Sequence, residues 1–271
     1  NSGLMVENIL KKILSSIDEQ GYQFALIHQS LDMKDMISGD IDIVLNTHPD
    51  KIMLPIIRAL VESKEVKLIQ NLHYDIPYGH YYILQVLGAE KCFLHLDCLY
   101  DNYGVNRYHL KTVDLLQGAV KTESFTHTSS AVEAIYLLMK RSIKGQVDYA
   151  RLNYLQEVLA HNWQQLMPII SEWYGKQGLD KVKELLSASP EQASPIFKEL
   201  KIILEQRFKL IHPIRFILSI GLTKYRQVKR FFTPSGLFVV ILGPDGCGKS
   251  TVTEALPREL QRGYRNIWQF H

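Results

Sequence analysis

Apolar residues recur along the chain at intervals that predict helices in some stretches and strands in others. A spacing of three or four positions predicts an amphipathic helix that stops at Gly21, and the residues that show it are Val6, Ile9, Leu10, Ile13 and Ile17. Short apolar runs predict strands at 24–28, 40–45, 66–70, 81–87 and 91–99. Residues 50–63 favour a helix, although Pro55 interrupts it. This part of the chain therefore indicates a small α/β domain around a mixed sheet.

After Thr126 the pattern becomes helical. Ser130 followed by Glu133 is a capping-box signature, with Ser130 as the expected cap of a helix that ends at Gly145. Further helical stretches cover 149–175 and 179–186, and we expect this helical domain to end near Leu204.

Composition places the chain among ordinary soluble proteins. It has 271 residues, 46% hydrophobic and 22% charged, which is enough for one large or two ordinary domains. The three cysteines, Cys92, Cys98 and Cys247, form no C-x-x-C pair and no even set, which favours a reduced protein. We find no apolar leader and no apolar run of membrane-spanning length, and we expect a cytoplasmic location.

Positive charge is concentrated in the segment 206–234. The net charge is +3, but this segment contains seven basic residues and no acid: Arg207, Lys209, Arg215, Lys224, Arg226, Lys229 and Arg230. The remainder is net negative, so there is no strong sign of nucleic-acid binding. The segment mixes apolar and basic residues, which is compatible with weak contact to an anionic membrane surface. The alternative, which we favour, is a linker helix whose apolar side packs on a neighbouring domain.

Three acidic residues in the first domain suggest metal chemistry. Asp40 and Asp42 are two positions apart in a predicted strand, so their carboxylates project from the same face. Asp97 lies in another apolar strand and needs a partner there, for which Mg²⁺ is a candidate. Asp40 and Asp42 would then bridge two metal ions, and Asp97 would bind one of them and help to deprotonate an acceptor. Alternatively, Asp40 and Asp42 merely decorate a solvent-facing sheet and Asp97 makes a local hydrogen bond.

Residues 22 to 110 resemble a nucleotidyltransferase domain of the DNA polymerase-β superfamily. Ser30, then Asp40 and Asp42, then Asp97 match, in order, that family's turn, its D-h-[D/E]-h strand and its third acid. The resemblance implies a helical domain after the sheet and a nucleoside triphosphate, such as ATP, bound with Mg²⁺. It also implies a phosphate contact for Lys140, for which the alternative is a plain surface lysine.

One residue departs from the family pattern. Gln29 stands where the family has glycine, in the turn where the backbone approaches the triphosphate. A side chain at that position would crowd the nucleotide. The departure bears on transfer activity and not on the fold.

The stretch GPDGCGKST has the spacing of a phosphate-binding P-loop. The pattern G-x-x-x-x-G-K-S fixes Gly243, Gly248, Lys249 and Ser250, after a predicted strand at 237–242 and before a predicted helix. Glycines, including Gly246, let the backbone N–H groups curl around a phosphate at the start of the helix. Lys249 would contact the phosphates and Ser250 would ligate Mg²⁺, with Thr251 beside it.

This loop resembles the thymidylate-kinase branch of P-loop kinases. In that branch an acid two places after the first glycine often contacts the sugar of the acceptor nucleotide, and Asp245 occupies that place. Pro257 is expected to shorten or kink the following helix. A strand, a loop and a helix do not complete phosphoryl transfer, so we expect no kinase activity from this chain and a full kinase domain after it in a longer protein.

The sequence thus predicts an α+β protein. Its expected parts are a nucleotidyltransferase-like mixed-sheet domain at 1–120, a helical domain at 121–205, a basic linker at 206–234 and the beginning of a P-loop domain at 235–271. The predicted function is Mg²⁺-dependent nucleotidyl transfer to a small-molecule or polymer acceptor. The alternatives are a fragment of a nucleotide kinase with accessory front domains, and a non-catalytic nucleotide-sensing or scaffold module.

Overall fold

The structure is a computed structural model of the chain. It describes residues 2–27, 39–73, 79–88, 92–101, 110–122, 125–145, 149–232, 238–260, 263–264 and 267–268. The elements of the first part are α1 (Ser2–Glu19), β1 (Phe24–Leu26), β2 (Asp40–Leu45), α2 (Pro49–Glu62), β3 (Val66–His73), β4 (Gly79–Val86), β5 (Phe93–Leu99), α3 (Thr112–Leu116), β6 (Val120–Lys121) and β7 (Thr126–His127). The expected interruption at Pro55 is absent from α2, which runs through it.

The described strands form one seven-stranded sheet in the order β3-β4-β5-β2-β1-β7-β6. The β2–β5 and β1–β7 pairs are parallel, and the other pairs are antiparallel. The expected mixed sheet with helices is therefore confirmed. Strand β2 lies at the centre of this order, so its side chains are flanked by other strands on both edges.

The two faces of the sheet belong to two hydrophobic clusters. One face, with Ile41 and Ile43 of β2, packs with the apolar residues of α1 and α2. The opposite face contributes Val44 to a second cluster, which otherwise consists mainly of residues from the later helices. Because side chains alternate along a strand, Asp40 and Asp42 share the face of Val44. The two acids therefore lie on the side of the sheet that is covered by the helices.

The later helices are α4 (Ser130–Lys144), α5 (Tyr149–His161), α6 (Trp163–Leu185) and α7 (Pro190–Ile211). The expected cap at Ser130 is wrong by one residue. The side chain of Ser129 accepts the hydrogen bond from the Val132 amide, and Ser130 instead donates to Asn162. Helix α4 ends, as expected, at Gly145, whose φ of 68° satisfies the left-handed cap. Helix α7 continues beyond Leu204, the expected end of the helical domain.

The remaining helices are α8 (Pro213–Phe232) and α9 (Lys249–Leu260). Among the residues that the structure describes, the apolar side of α8 is exposed, so the expected packing on a neighbouring domain is not seen here. Residues 238–242, expected to be a strand, are not assigned to one, because no neighbouring strand pairs with them in the described chain. Helix α9 runs through Pro257. Within the described residues, no helix is both long and apolar enough to cross a membrane.

Gly263 returns to the N-terminal sheet. Its carbonyl accepts a hydrogen bond from Gln70 Nε2 of edge strand β3 at 2.7 Å. The residue is buried, and a Cβ atom placed on it would stand 3.3 Å from Ile69 Cγ2 and 3.9 Å from Phe93 Cε1. The chain after α9 is thus attached to the edge of the sheet.

Candidate functional site: an acidic sheet face opposite basic helix α4

The predicted acids are neighbours on one face of the sheet. Asp42 of β2 is the register partner of Asp97 of β5, and Tyr81 of β4 is the next partner in the same row. In the adjacent row, Asp40 pairs in register with His95. Register partners on neighbouring strands point to the same side. The sheet therefore brings the three acids together, as the sequence predicted.

Asp42 is held in a buried ion pair with Lys140. The side chain of Asp42 is only 6% exposed, and its Oδ2 lies 2.8 Å from Lys140 Nζ of α4. The ammonium also lies 5.3 Å from the centre of the Tyr136 ring, which is a favourable cation–π distance. Lys140 is therefore not a plain surface lysine, since it crosses from the helical layer to the acidic face. The two layers meet at this pair.

Asp40 is oriented by a short chain of hydrogen bonds. The Tyr81 hydroxyl donates to Asp40 Oδ1 at 2.5 Å and lies 2.7 Å from His95 Nδ1. A phenol has one proton, so if it donates to Asp40 it accepts from the protonated Nδ1 of His95. Tyr81 itself is fully buried. The orientation of the Asp40 carboxylate thus depends on two residues of the neighbouring strands β4 and β5.

Basic side chains continue from Lys140 along the end of α4. Lys144 is one turn after Lys140, so the two lie on the same face of the helix. Partial desolvation lowers the pKa of Lys144, repulsion by Lys140 and Arg141 lowers it further, and attraction to Asp42 opposes the change. Arg151 of α5 also repels this ammonium. These cations are close enough to the acids to interact with them. A bound polyanion would relieve the repulsion among the cations.

The carboxylates agree with Mg²⁺ in the type of donor. Mg²⁺ prefers oxygen ligands, and Asp40, Asp42 and Asp97 supply carboxylates from adjacent strands. Their side chains are turned to protein partners, Asp42 to Lys140 and Asp40 to Tyr81. Accordingly, in the part of the chain that the structure describes, no three His, Cys, Asp or Glu side chains are gathered to hold a metal ion. The carboxylates are neighbours in the sheet but are not gathered around a common point, and Asp42 is paired with Lys140.

The residues of the predicted P-loop form a separate group around the start of α9. Gly246 and Gly248 have φ values of 81° and 86°, which only glycine adopts easily, and α9 begins directly after them at Lys249. Lys249 Nζ donates to the carbonyls of Gly243 and Pro244 at 2.6 and 2.7 Å. The ammonium also lies 3.6 Å from Asp245. Lys249 therefore folds back over the loop, at the end where a phosphate would neutralise it.

The predicted site and the described site differ in two respects. Ser30 and Gln29, the predicted turn at the nucleotide, lie outside the described residues. Tyr81 and His95 were missed, although His95 is two positions before Asp97 and so shares its face of the strand. That alternation was the available signal for His95. Nothing in the sequence indicates that Tyr81 would reach Asp40, because their contact depends on the register between β4, β5 and β2.

Comparison with known proteins assigns the chain to no family. No protein-family model matches it, and no curated protein sequence is significantly similar to it.

Proposed function

We propose that the acidic face catalyses Mg²⁺-dependent nucleotidyl transfer from a nucleoside triphosphate to a hydroxyl acceptor. The observation that carries the proposal is the buried pair between Asp42 and Lys140, with Asp97 beside it in register. Carboxylates provide the ligands for a divalent cation, and lysines provide the counter-charge for a triphosphate. A site for a metal–nucleotide complex needs both within reach of each other.

Each residue has a distinct role in this proposal. Asp40, Asp42 and Asp97 would hold the metal, which when bound would neutralise phosphate charge and acidify the acceptor hydroxyl. Asp97 accepts the proton of that hydroxyl, whose oxygen forms a bond to the α-phosphorus while the bond from the α-phosphorus to the bridging oxygen breaks and pyrophosphate leaves. Lys140 leaves Asp42 and binds a phosphate oxygen, so that its positive charge remains paired in both states. Lys144 extends the positive surface along the same face of α4 and binds the outer phosphates.

Tyr81 and His95 are positioning residues. They fix the orientation of the Asp40 carboxylate by the hydrogen bonds described above. A preoriented ligand loses less conformational entropy when it binds. Tyr81→Phe removes the donor and keeps the ring, and it is therefore the conservative variant for this role.

A second candidate is a non-catalytic nucleotide-binding module. It is favoured by the same ion pair, because Lys140 neutralises the carboxylate of Asp42 that transfer would need as a metal ligand. In that case the chain binds nucleotide without turnover, either at the acidic face or through the P-loop with its left-handed glycines and Lys249. The two candidates make different predictions for pyrophosphate release.

The test measures binding and turnover on the same samples. ATP, GTP, CTP, UTP and dTTP are titrated calorimetrically with Mg²⁺ and assayed for pyrophosphate release with a mixture of hydroxyl acceptors. We expect Asp42→Ala to reduce release by at least about 1,000-fold, because a metal ligand is lost. Asp180→Ala is the matched control, since it removes an exposed carboxylate that pairs with Lys183.

The P-loop variant separates the two sites. Lys249→Ala should leave pyrophosphate release within about twofold of the unchanged chain, because no P-loop residue takes part in the proposed reaction. Binding that disappears only in Lys249→Ala would contradict the proposal and assign nucleotide binding to the P-loop. Binding lost in Asp42→Ala without any pyrophosphate release would favour the non-catalytic module.

A further inference from the structure

Outside the acidic face, the strongest unexplained feature is helix α8, whose apolar face is turned to solvent. Six apolar side chains fall within an arc of roughly 100° on the helix. Each of them is between 52% and 75% exposed: Ile214, Ile217, Leu218, Tyr225, Val228 and Phe232. A surface helix normally turns such a face toward the protein core. Here the apolar face is the one that meets solvent.

The opposite side of α8 is polar and less exposed. Arg215, Ser219, Thr223 and Arg226 lie there, and all four are half-buried. Ser219 and Thr223 satisfy their hydroxyls on carbonyls of the preceding turn, those of Phe216 and Ser219. Packing at the start of the helix involves Phe216, whose ring stands 6.5 Å from that of Phe208 in α7. The helix is thus attached through this end, and its apolar face is left open along its length.

The charges around the apolar face of α8 indicate which kind of partner would cover it. Lys224 and Lys229 lie at its two borders, where a lysine stem can follow an apolar surface while its ammonium reaches the polar boundary. The segment 206–234 contains seven basic residues and no acid. Two copies of this helix packed face to face would bring these like charges together, which is unfavourable. A partner surface with a negatively charged outer layer over an apolar layer is complementary both to the lysines and to the apolar face of α8.

We propose that α8 is an in-plane anchor that binds an anionic lipid membrane surface. Its apolar face enters the boundary between headgroups and acyl chains, and its lysines contact the lipid phosphates. The acidic face and α4 are then held beside the membrane, with α7 as the connection. This inference is independent of the reaction at the acidic face, since it uses none of the same residues.

Vesicle flotation of the purified chain tests the anchor. The probe is phosphatidylcholine vesicles with and without roughly 30% phosphatidylglycerol. We expect binding to the anionic vesicles, with at least about tenfold weaker binding to the neutral ones. Binding should decrease when salt is raised to about 0.5 M, because the charges are then screened. Equal binding to both vesicle types, or binding to neither, would overturn the proposal.

Two pairs of variants separate the apolar and the charged contributions. Ile217→Asp with Val228→Asp should weaken binding about tenfold or more, because two apolar side chains that would be buried in the membrane are lost. The control is Val113→Asp with Ile202→Asp, which changes exposed apolar residues of α3 and α7. Lys224→Glu with Lys229→Glu should weaken binding by at least about tenfold. Its control is Lys176→Glu with Lys183→Glu on exposed positions of α6.

All variants change exposed positions, and circular dichroism verifies that each one retains its helices. Control pairs that weaken binding as much as the α8 pairs would overturn the proposal. Sedimentation velocity tests the alternative occupant of the apolar face, a second copy of the chain. A dimer that disappears in Ile217→Asp with Val228→Asp, in a chain that does not float with anionic vesicles, would assign the apolar face to a second copy.

Discussion

The acidic sheet face and the predicted P-loop both contain charged side chains, but they differ in how much buried structure supports them. Asp42 is 5% exposed on a central strand, with a hydrophobic cluster on each side of its sheet. Leu242, directly before the P-loop, is 87% exposed, and Phe238 is 85% exposed. One candidate site is part of the core, and the other is a local structure on an open segment.

The difference shows that the specificity of a motif and its structural support are separate properties. The P-loop pattern is specific because its geometry arises within a few residues, from two left-handed glycines and the start of a helix. Such a loop forms without a surrounding core. Two aspartates at alternate positions are a weak pattern, and they become a site only through the register of β2 with β5.

Truncating one apolar side chain in each region is expected to give the largest contrast. Ile43→Ala should lower the free energy of unfolding by about 3–4 kcal/mol, because Ile43 is fully buried and leaves a cavity. Val240→Ala should lower it by less than about 0.5 kcal/mol, since Val240 is 60% exposed. Urea unfolding followed by circular dichroism measures both. An equal loss in Val240→Ala would mean that the segment before the P-loop is packed in solution.

A smaller effect is expected when the acidic face loses its cation. Lys140→Met should lower the free energy of unfolding by about 3 kcal/mol, because the buried carboxylate of Asp42 loses the cation that contacts it. Adding Asp42→Asn to this variant should recover part of the loss, which a double-mutant cycle in urea quantifies.

The exposed pair between Lys183 and Asp180 provides the control for this cycle. Lys183→Met should cost less than about 0.5 kcal/mol, because surface pairs contribute little. A Lys140→Met loss no larger than this control would show that Asp42 is solvated in the folded protein. The buried ion pair would then not be the feature that joins the two layers.

The smallest expected effect is a pH dependence in strand β7, which lies between β1 and edge strand β6. Burial lowers the pKa of His127 of β7 from its ordinary value of 6.5, and the nearby charge of Glu133 partly opposes the shift. The folded state therefore binds fewer protons than the unfolded state as the pH falls below that value. The stabilisation from neutral His127 is complete above about pH 6.5 and is lost as the pH falls through the lower, folded-state pKa.

Comparison with His127→Gln isolates this contribution. Between about pH 7 and about pH 5, the urea midpoint of the unchanged chain should fall more than that of His127→Gln. His161→Gln serves as the control, because His161 is exposed at the end of α5. A variant whose midpoint falls in parallel with that of the unchanged chain would contradict the role of His127.

Much of the fold could be predicted from periodicity. The helical spacing in α1 and the apolar runs of β2, β4 and β5 correspond to observed elements, because these segments bury a face in the core. The small errors have local causes. Ser129 caps α4 in place of Ser130, since either serine could satisfy the first turn. The strand at 237–242 was expected from composition alone, but a strand also requires a neighbour to pair with.

The site could be predicted only in part. Asp40 and Asp42 were available from their alternation, and Asp97 from its position in an apolar strand. Their partners depend on long-range packing. Lys140 reaches Asp42 across 98 positions of sequence, and Tyr81 reaches Asp40 across 41. No local pattern encodes such distances, so the hydrogen bonds that orient the acids follow from the folded arrangement of strands and helices.

The hydrogen bond between Gln70 and Gly263 has a consequence for the P-loop. The loop follows α8 in the chain, and behind it Gly263 is attached to edge strand β3. A segment attached on both sides acts as a tethered reactant, and short tethers give effective concentrations on the order of millimolar. The residues between α8 and Gly263 are therefore kept near edge strand β3, at a local concentration of that order, by the chain itself and one hydrogen bond.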